Sequence, residues 1–261
     1  MKAIILAAGM GTRLGKYTQD LPKGMLNFMG KSLIERQVET LRKSGINNII
    51  IVKGYASSKI NISGVKYYEN KEYNTTNMVA TLMTAEEEMD DEILVCYSDI
   101  IYEARLIKEI LNSKAEISVL ADEDWLDYWK ARLDNWHDDI ESLKYDKNNN
   151  IIDIGNTKCS LNDAQARYIG LIKFSKEGIK KLKRVYHKNK ELYWDKDKPW
   201  LNSKSFKKAY MTCILQALVN DGAEVKVVTI RKGWMEFDTV DDYEKGMQWA
   251  KDNTLKRFIV L

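Results

Sequence analysis

The sequence predicts a Rossmann-like α/β fold, with a mixed but mostly parallel sheet flanked by helices. Short apolar runs that fit buried strands alternate, in the first half of the chain, with segments whose apolar residues recur at helical spacing. Glycine-containing loops follow several of these runs. The chain has 261 residues, of which 44% are hydrophobic, so it can bury a sizeable core.

Strands and helices alternate in the first half of the chain. Residues 2–7 form a continuous apolar run that ends in a glycine loop, as expected for a strand buried on both faces. A helix follows, with Ser32 as its N-cap and Gly45 as its stop. Further strands are predicted in NNIIIVKGY, VKYYEN, DEILVCYSDI and AEISVLAD, and further helices in TTNMVATLMTAEEEM and ARLIKEILNS. Ligands in such sheets bind outside the carboxyl ends of the strands, so we expect the loops after residues 8, 53, 70 and 98 to converge on one crevice.

The second half of the chain is less regular. Strands are predicted in NNNIIDIG, ARYIGLIKFS and EVKVVTI, and helices in KEGIKKLKRVYHKN, FKKAYMTCILQALVNDG and VDDYEKGMQWAKDN. Residues 124–145 are dense in tryptophan and acidic groups, and we interpret them as an insertion over the open edge of the sheet. We therefore expect one domain over residues 1–261, with a small Trp-rich insertion at residues 122–165.

Charge and cysteine content exclude several classes of protein. The net charge is only +3 although 30% of residues are charged, and no long run of one sign occurs. This balance argues against a nucleic-acid partner or an acidic membrane surface. The three cysteines are far apart and odd in number, which favours a reducing, cytoplasmic setting over a disulfide framework. The apolar stretch AIILAA is too short for a signal peptide or a membrane span.

The glycine loop after the first strand has three interpretations. A P-loop is excluded because Met10 replaces its first glycine and Tyr17 replaces its Mg²⁺-binding hydroxyl. A dinucleotide-binding loop is weakly supported, since Leu14 occupies the position of its third glycine. That motif also needs an acid after the second strand, where the sequence has Lys53-Gly54.

The third interpretation is a binding loop for a nucleoside triphosphate. Gly9 and Gly11 allow a tight loop that exposes backbone N–H groups, and Arg13 and Lys23 add cations for the phosphates. The stretch LAAGMGTRLGKYTQDLPKGML resembles the signature of nucleotidyltransferases that activate sugars and alcohols with a nucleoside triphosphate. One departure is Gly15, near which many members carry a proline. The resemblance implies the fold of the nucleotide-diphospho-sugar transferases.

Two aspartates are candidate metal ligands. Asp99 ends a strongly apolar strand, where a carboxylate is well placed for Mg²⁺, although a helix-cap role is the alternative for any such residue. Asp238 follows another apolar stretch, WMEF. In the family that the chain resembles, acids at the matching positions share the divalent metal, so the resemblance implies one or two Mg²⁺ ions. Glu236 is a weaker candidate.

Later motifs narrow the resemblance. ENKEYNTTNM, YSDI, YIGLIKFS and GWMEFDT are similar to those of cytidylyltransferases that act on phosphocholine, 2-aminoethylphosphonate or phosphoglutamine. This resemblance implies Mg²⁺-dependent transfer of CMP from CTP to a small phosphorylated or phosphonate acceptor, with release of pyrophosphate. Arg13 and Lys23 are then the catalytic cations. The implied nucleotide-binding residues are Leu6, Ala7, Ala8, Gly9, Gly11 and Asn77.

Two other functions stay open at this point. The first is a sugar-1-phosphate uridylyl- or thymidylyltransferase, which needs a polar, hydroxyl-reading acceptor site. The second is a non-catalytic nucleotide-sensing protein, which is expected to have lost one of the cations or carboxylates. The oligomeric state is also open, with a homodimer among the alternatives.

Aromatic and basic residues are candidates for the acceptor site. Flat aromatic faces can bind a cationic head group, although packing of the insertion against the sheet is the alternative for each tryptophan. An arginine before YIG at residues 168–170 favours an acceptor with a carboxylate or additional negative charge, if it faces the pocket. The candidates are Trp125, Trp129, Arg132, Trp136, Arg167 and Trp234.

Overall fold

Thirteen strands and seven α-helices make up the fold, and the structure, a computed structural model, describes residues 1–261. The strands are β1 (Lys2–Ala7), β2 (Asn27–Phe28), β3 (Lys31–Ser32), β4 (Ile49–Lys53), β5 (Lys66–Glu69), β6 (Ile93–Tyr97), β7 (Ile100–Tyr102), β8 (Ile117–Asp122), β9 (Leu143–Tyr145), β10 (Ile151–Ile154), β11 (Arg167–Phe174), β12 (Val225–Ile230) and β13 (Trp234–Glu236). The helices are α1 (Leu33–Lys43), α2 (Met78–Met83), α3 (Ala104–Asn112), α4 (Trp125–Arg132), α5 (Lys176–Tyr193), α6 (Met211–Asn220) and α7 (Val240–Asp252).

A seven-stranded sheet in the order β12-β8-β11-β6-β1-β4-β5 forms the centre of the molecule. Four of its neighbouring pairs are parallel. The exceptions are the two pairs that β11 makes with β6 and β8, which are antiparallel. The predicted mostly parallel, mixed α/β sheet is therefore confirmed.

The apolar run of β1 is continuous because both faces of this strand are buried. Ile4 and Leu6 lie in the core on one side of the sheet, and Ala3 and Ile5 lie in the core on the other. A strand in the middle of a parallel sheet has no solvent-facing side and therefore needs no polar alternation.

Helix α1 begins and ends where the sequence predicts. The Glu35 N–H donates to the Ser32 hydroxyl at 3.2 Å, and the Ser32 N–H donates to the Glu35 carboxylate at 2.6 Å, which forms a capping box. Gly45 follows the helix with a φ of +87°, a conformation that glycine adopts without strain.

Two other predicted helices are shorter than expected. In TTNMVATLMTAEEEM, α2 ends at Met83, and residues 86–88 form a separate 3₁₀ turn. In FKKAYMTCILQALVNDG, α6 begins only at Met211, because Tyr210 has the extended backbone of an N-cap. Residues 206–208 form their own 3₁₀ turn. Helical spacing alone therefore overestimated the length of both helices.

The Trp-rich segment, residues 122–165, contributes both to the core and to the edge of the sheet. Trp125, Tyr128 and Trp129 of α4 are buried. The hairpin β9–β10 lies beside the edge strand β12, and the Val227 N–H donates to the Asn149 carbonyl at 2.9 Å.

None of the helices combines the length and apolar character that crossing a bilayer requires.

Candidate active site

A short two-stranded ribbon brings together two aspartates that are distant in the sequence. β7 pairs antiparallel with β13, and Ile100 lies opposite Glu236. Asp99 precedes the first strand and Asp238 follows the second, so both lie at the same end of the ribbon. The N–H of Phe237 donates to the Asp99 carbonyl at 2.9 Å and fixes the two segments against each other.

The loop after β1 is held tightly against neighbouring segments. Gly11 has a φ of +62°, and a Cβ there would lie 3.0 Å from the Cβ of Lys23. The Thr18 hydroxyl donates to the Gly11 carbonyl at 2.8 Å. A Cβ at Gly54, which follows β4, would lie 2.7 Å from the Cβ of Ala8. The glycines at 11 and 54 therefore permit close packing of the loops that border the site.

Four charged side chains meet at this edge of the sheet. The Lys23 ammonium lies 2.6 Å from Asp99 Oδ2 and also contacts Asp238. Arg13 Nη2 lies 2.8 Å from Asp238 Oδ2. The Lys23 side chain is 14% exposed and the Arg13 side chain is 66% exposed, so one cation lies inside the cluster and the other lies at its rim.

Within the cluster, Lys23 and Asp238 favour each other's charged form. Burial by itself would raise the pKa of Asp238, but the charges of Lys23 and Arg13 outweigh it and lower that pKa to about 2. Burial would lower the pKa of Lys23, but the two aspartates outweigh it and raise that pKa. Both groups are therefore ionised at neutral pH.

The donor set suits a Mg²⁺ ion that is shared with a substrate. Asp99 Oδ1 is buried and has no hydrogen-bond partner, which leaves a carboxylate oxygen available to a cation. No group of three His, Cys, Asp or Glu side chains could hold a metal by itself. Mg²⁺ does not need such a group, since it commonly binds one or two carboxylates together with substrate phosphates. Burial raises the pKa of Glu236 to about 7, which makes this residue a poorer ligand at neutral pH than Asp238.

Two of the cavities that reach the cluster share all four of its charged side chains. One has a volume of about 250 Å³ and reaches the loop after β1, and the other has a volume of about 570 Å³ and extends toward the Trp-rich segment. Six residues line both cavities, namely Arg13, Lys23, Met78, Tyr97, Asp99 and Asp238. The two cavities therefore give one crevice with a shared charged centre, as the convergence of the strand ends predicts.

The six predicted nucleotide-binding residues lie at different depths. Leu6, Gly9 and Gly11 line the smaller cavity. Ala7 and Ala8 are 2% and 4% exposed, so little of either residue is accessible to a ligand. Asn77 is the N-cap of α2, where its side-chain oxygen accepts from the Met78 N–H at 2.9 Å. Its neighbour Met78, rather than Asn77, lines the cavities.

Three of the four acceptor-site tryptophans lie in the core, which corrects the expectation that their faces are available to a ligand. Trp125, Trp129 and Trp234 are 4%, 0% and 1% exposed. Trp129 and Trp234 pack against Tyr128, Trp125 packs against Trp129, and the Trp234 indole N–H donates to the buried carboxylate of Asp122 at 2.9 Å. Positions 125 and 129 share the face of α4 that turns inward, so packing is the correct alternative for these residues.

The other acceptor candidates differ in their access to the cavities. Trp136 is partly exposed and stacks on His137 with ring centroids 3.5 Å apart, and it lines neither cavity of the crevice. Arg132 is 2% exposed and pairs with Asp242. Arg167 is partly buried and lines the larger cavity. Of this set, Arg167 is therefore the residue that reaches the crevice.

Several lining residues were missed by sequence reasoning. Tyr97 and Ser98 precede Asp99, so the rule that ligands bind at the carboxyl ends of strands could have included them. Tyr210 and Thr212 line the larger cavity from the beginning of α6. Sequence reasoning placed both positions inside a predicted helix and assigned neither of them a role in the site.

The chain is similar in sequence to a family model and to cytidylyltransferases of bacteria. Residues 3–150 match the family model of the MobA-like NTP transferase domain. CTP:phosphoglutamine cytidylyltransferase of Campylobacter jejuni is 33% identical over 256 residues, which cover 94% of this chain and 98% of that protein. Choline-phosphate cytidylyltransferase of Streptococcus pneumoniae is 39% identical over 99 residues, which cover 36% of this chain and 43% of that protein.

Solved structures share the fold. CTP:phosphocholine cytidylyltransferase from Streptococcus pneumoniae superposes with a TM-score of 0.72 at 23% identity and covers 95% of this chain and 98% of that one. The inositol-1-phosphate CTP transferase from T. maritima has a TM-score of 0.72 at 20% identity and covers 100% of this chain and 98% of that one. At these identities the likeness concerns the arrangement of strands and helices.

Proposed function

Because the chain belongs to the family of MobA-like NTP transferase domains, we propose that it transfers CMP from CTP to a small phosphorylated or phosphonate acceptor. The observation that carries the proposal is the meeting of Arg13, Lys23, Asp99 and Asp238 in one crevice behind a glycine loop. The choice of CTP is supported by the cytidylyltransferases to which the chain is similar.

The smaller cavity is proposed to receive the nucleotide. Gly9 and Gly11 line it together with Leu6, and no side chain at either glycine blocks the approach of a phosphate. Arg13 and Lys23 supply positive charge at the boundary with the larger cavity. Cations fixed in a partly buried site stabilise the charge that develops when a phosphoryl group is transferred.

Asp99 and Asp238 are proposed to hold Mg²⁺, as one or two ions. The metal, when bound, supplies positive charge that helps to neutralise the triphosphate. Both carboxylates contact Lys23, so the ammonium and the acids hold one another in place at the centre of the crevice.

The proposed chemistry is a direct, in-line displacement. An oxygen of the acceptor phosphate or phosphonate attacks the α-phosphorus of CTP, and the bond to the bridging oxygen of pyrophosphate breaks. The products are the CMP-linked acceptor and pyrophosphate. No protein nucleophile is required, because positioning and charge neutralisation are the main contributions of the protein in such transfers.

The larger cavity is proposed to receive the acceptor. Its lining carries both signs of charge, with Arg167 and the carboxylates of Asp139 and Glu141. Arg167 Nη1 donates to the Asp139 carbonyl at 3.0 Å, and Nη2 lies 3.4 Å from its carboxylate. This lining, with both signs of charge, suits an acceptor with a charged head group.

A screen of donors and acceptors tests the proposed function. Pyrophosphate release is measured for CTP, UTP, ATP, GTP and dTTP against phosphocholine, 2-aminoethylphosphonate, phosphoglutamine and glucose 1-phosphate, with Mg²⁺ present. We expect turnover with CTP and one of the charged acceptors. Turnover with UTP or dTTP and glucose 1-phosphate, and none with CTP, would replace the proposal with a sugar-phosphate nucleotidyltransferase.

A pair of variants links that activity to the crevice. Asp99→Asn is expected to lose most of the Mg²⁺-dependent turnover, whereas Asp195→Asn, at an 88% exposed side chain, is expected to retain it. Near wild-type turnover in Asp99→Asn would remove Asp99 from the proposed site.

A further inference from the structure

A buried guanidinium lies directly behind the carboxylate cluster. Arg132 ends α4, and its side chain is 3% exposed. Its Nε and Nη2 donate to the two carboxylate oxygens of Asp242 at 2.7 and 2.8 Å, and its Nη1 donates to Glu236. Nη2 also lies 3.9 Å from Asp238 Oδ2. This arginine therefore faces three carboxylates of the segment 236–242.

Asp242 connects this guanidinium to the backbone of Asp238. The N–H groups of Asp238 and Thr239 donate to Asp242 Oδ2 at 2.9 and 2.8 Å. The Asp242 N–H donates to the Thr239 hydroxyl at 3.1 Å, which completes the capping box of α7. The Asp242 carboxylate therefore accepts two hydrogen bonds from Arg132 and also fixes the turn that carries Asp238.

Arg132 also packs against an aromatic ring. Its guanidinium carbon lies 4.7 Å from the ring centroid of Trp129, which is fully buried. A planar fork with two parallel hydrogen bonds and an aromatic neighbour has little freedom, and a lysine cannot reproduce this geometry. Each of its three nitrogens donates to a carboxylate, so the group is committed to internal contacts.

We propose that Arg132 is a positioning residue that sets the Asp238 carboxylate against Lys23 through Asp242, without touching the substrate. This inference rests on the proposed function for its catalytic consequence. It also gives the Trp-rich segment a role in aligning the crevice, because α4 and Trp129 carry the guanidinium. In this role Arg132 supports the crevice from behind, in place of the acceptor contact that the sequence suggests.

The test uses Arg132→Lys and Asp242→Asn in the full-length protein. Arg231→Lys, at a 72% exposed side chain, is the matched control. Amide hydrogen exchange at residues 238 and 239 is measured first, because it needs no activity. Steady-state kinetics then give kcat, the KM for the acceptor and the Mg²⁺ concentration for half-maximal rate.

We expect exchange at residues 238 and 239 to accelerate at least 10-fold in both variants, with distant amides unchanged. We also expect kcat to fall at least 10-fold in Arg132→Lys, the half-maximal Mg²⁺ concentration to rise, and the acceptor KM to stay within 2-fold. The Arg231→Lys variant is expected to match the wild type in every readout.

Three results would overturn the inference. A raised acceptor KM with unchanged kcat would make Arg132 a substrate contact. Unchanged exchange at 238 and 239 would break the link to Asp238. Failure of Arg132→Lys to fold, or a uniform rise in exchange, would make the residue a general stabiliser. If the wild type uses no CTP with any acceptor, the proposed function fails, and the exchange result still decides whether Arg132 fixes Asp238.

Discussion

Lys23 is surrounded by acids from two separate parts of the chain. Its ammonium contacts Asp99, which lies between β6 and β7. It also contacts Asp238, which comes more than two hundred residues after Lys23 in the sequence. The residue types and their positions after strands were predictable from the sequence. Their mutual distances were not, because they depend on the β7–β13 ribbon, whose three-residue strands are too short to give a periodic signal.

Lys23→Met tests the buried cation. The substitution keeps most of the side-chain length but leaves two carboxylates without their shared partner, so we expect kcat to fall by roughly 10²–10³-fold. Lys16→Met is the control, because the Lys16 side chain is 67% exposed. The Gly15-Lys16 pair only superficially resembles a P-loop. Equal loss of turnover in both variants would indicate that general charge, and not the position of Lys23, matters.

Glu88 connects strands by charge and gives a prediction for the pH dependence of stability. Lys66 contributes most to lowering the pKa of Glu88 to about 2, followed by Tyr68 and Lys2. Because this pKa is lower in the folded state than in the unfolded state, the ionised Glu88 stabilises the fold at pH values above the ordinary glutamate pKa of about 4.5. This stabilisation is lost as the pH falls from there toward 2.

Urea unfolding of Glu88→Gln between pH 7 and pH 3 measures this contribution. We expect the variant to be less stable than the wild type at pH 7 and the difference in unfolding free energy to shrink below about pH 4.5. Glu191→Gln alters an exposed side chain and should show no such trend. A Glu88→Gln difference that stays constant over this range would show that Glu88 acts through packing and not through its charge.

At the scale of elements, β11 combines two departures from regular sheet structure. It is antiparallel to both neighbours, and its register with β8 shifts between Tyr168 and Ile172. Gly170 lies within the irregular stretch with a φ of +86°. A Cβ there would lie 2.8 Å from the ring of Tyr97, which lines both cavities. The sequence predicts the strand, but neither its direction nor the irregularity.

Gly170→Ala and Gly45→Ala separate steric contact from backbone strain. Both positions have a positive φ, but a Cβ at Gly45 meets nothing within 4 Å. We expect Gly45→Ala to cost about 1 kcal/mol of unfolding free energy from strain alone. Gly170→Ala should cost about 1–3 kcal/mol more because the Tyr97 ring must move. Equal losses in chemical denaturation would contradict the close approach of position 170 to the Tyr97 ring.

The boundaries of elements were most predictable where the chain carries its own local signals. The Ser32 capping box and Gly45 fixed both ends of α1. Tryptophan-rich α4 was predicted only as part of an insertion, because a run of mixed aromatic and charged residues gives no clear apolar face. Its burial depends on partners from α7 and the chain after it, including Trp249 and Phe258.

At the scale of the whole molecule, the sheet order determines where the crevice lies. β1 and β6 are neighbours in the centre, so the loop after β1 and Asp99 after β6 meet at one edge. The alternation of strands and helices was sufficient to predict this convergence. The acceptor side was less predictable, since three tryptophans that suggested a cation pocket proved to be core residues.

Ligand-dependent stability gives a prediction that does not require an acceptor. With Mg²⁺ present, CTP at 100 times its dissociation constant should stabilise the fold by about 2.7 kcal/mol, through binding to the native state alone. A thermal unfolding series with CTP, UTP, ATP and GTP measures this effect, and we expect the largest shift with CTP. A larger shift with another nucleotide would contradict the proposed donor.

Attack by an acceptor oxygen on the α-phosphorus of CTP is tested most sharply by following that oxygen. An acceptor with ¹⁸O in its phosphate or phosphonate group is incubated with CTP, Mg²⁺ and the protein, and both products are analysed by mass spectrometry. In-line attack by the acceptor predicts that all of its ¹⁸O appears in the CMP-linked product and none in pyrophosphate. Label in pyrophosphate, or the absence of a CMP-linked product with every acceptor in the screen, would contradict this account.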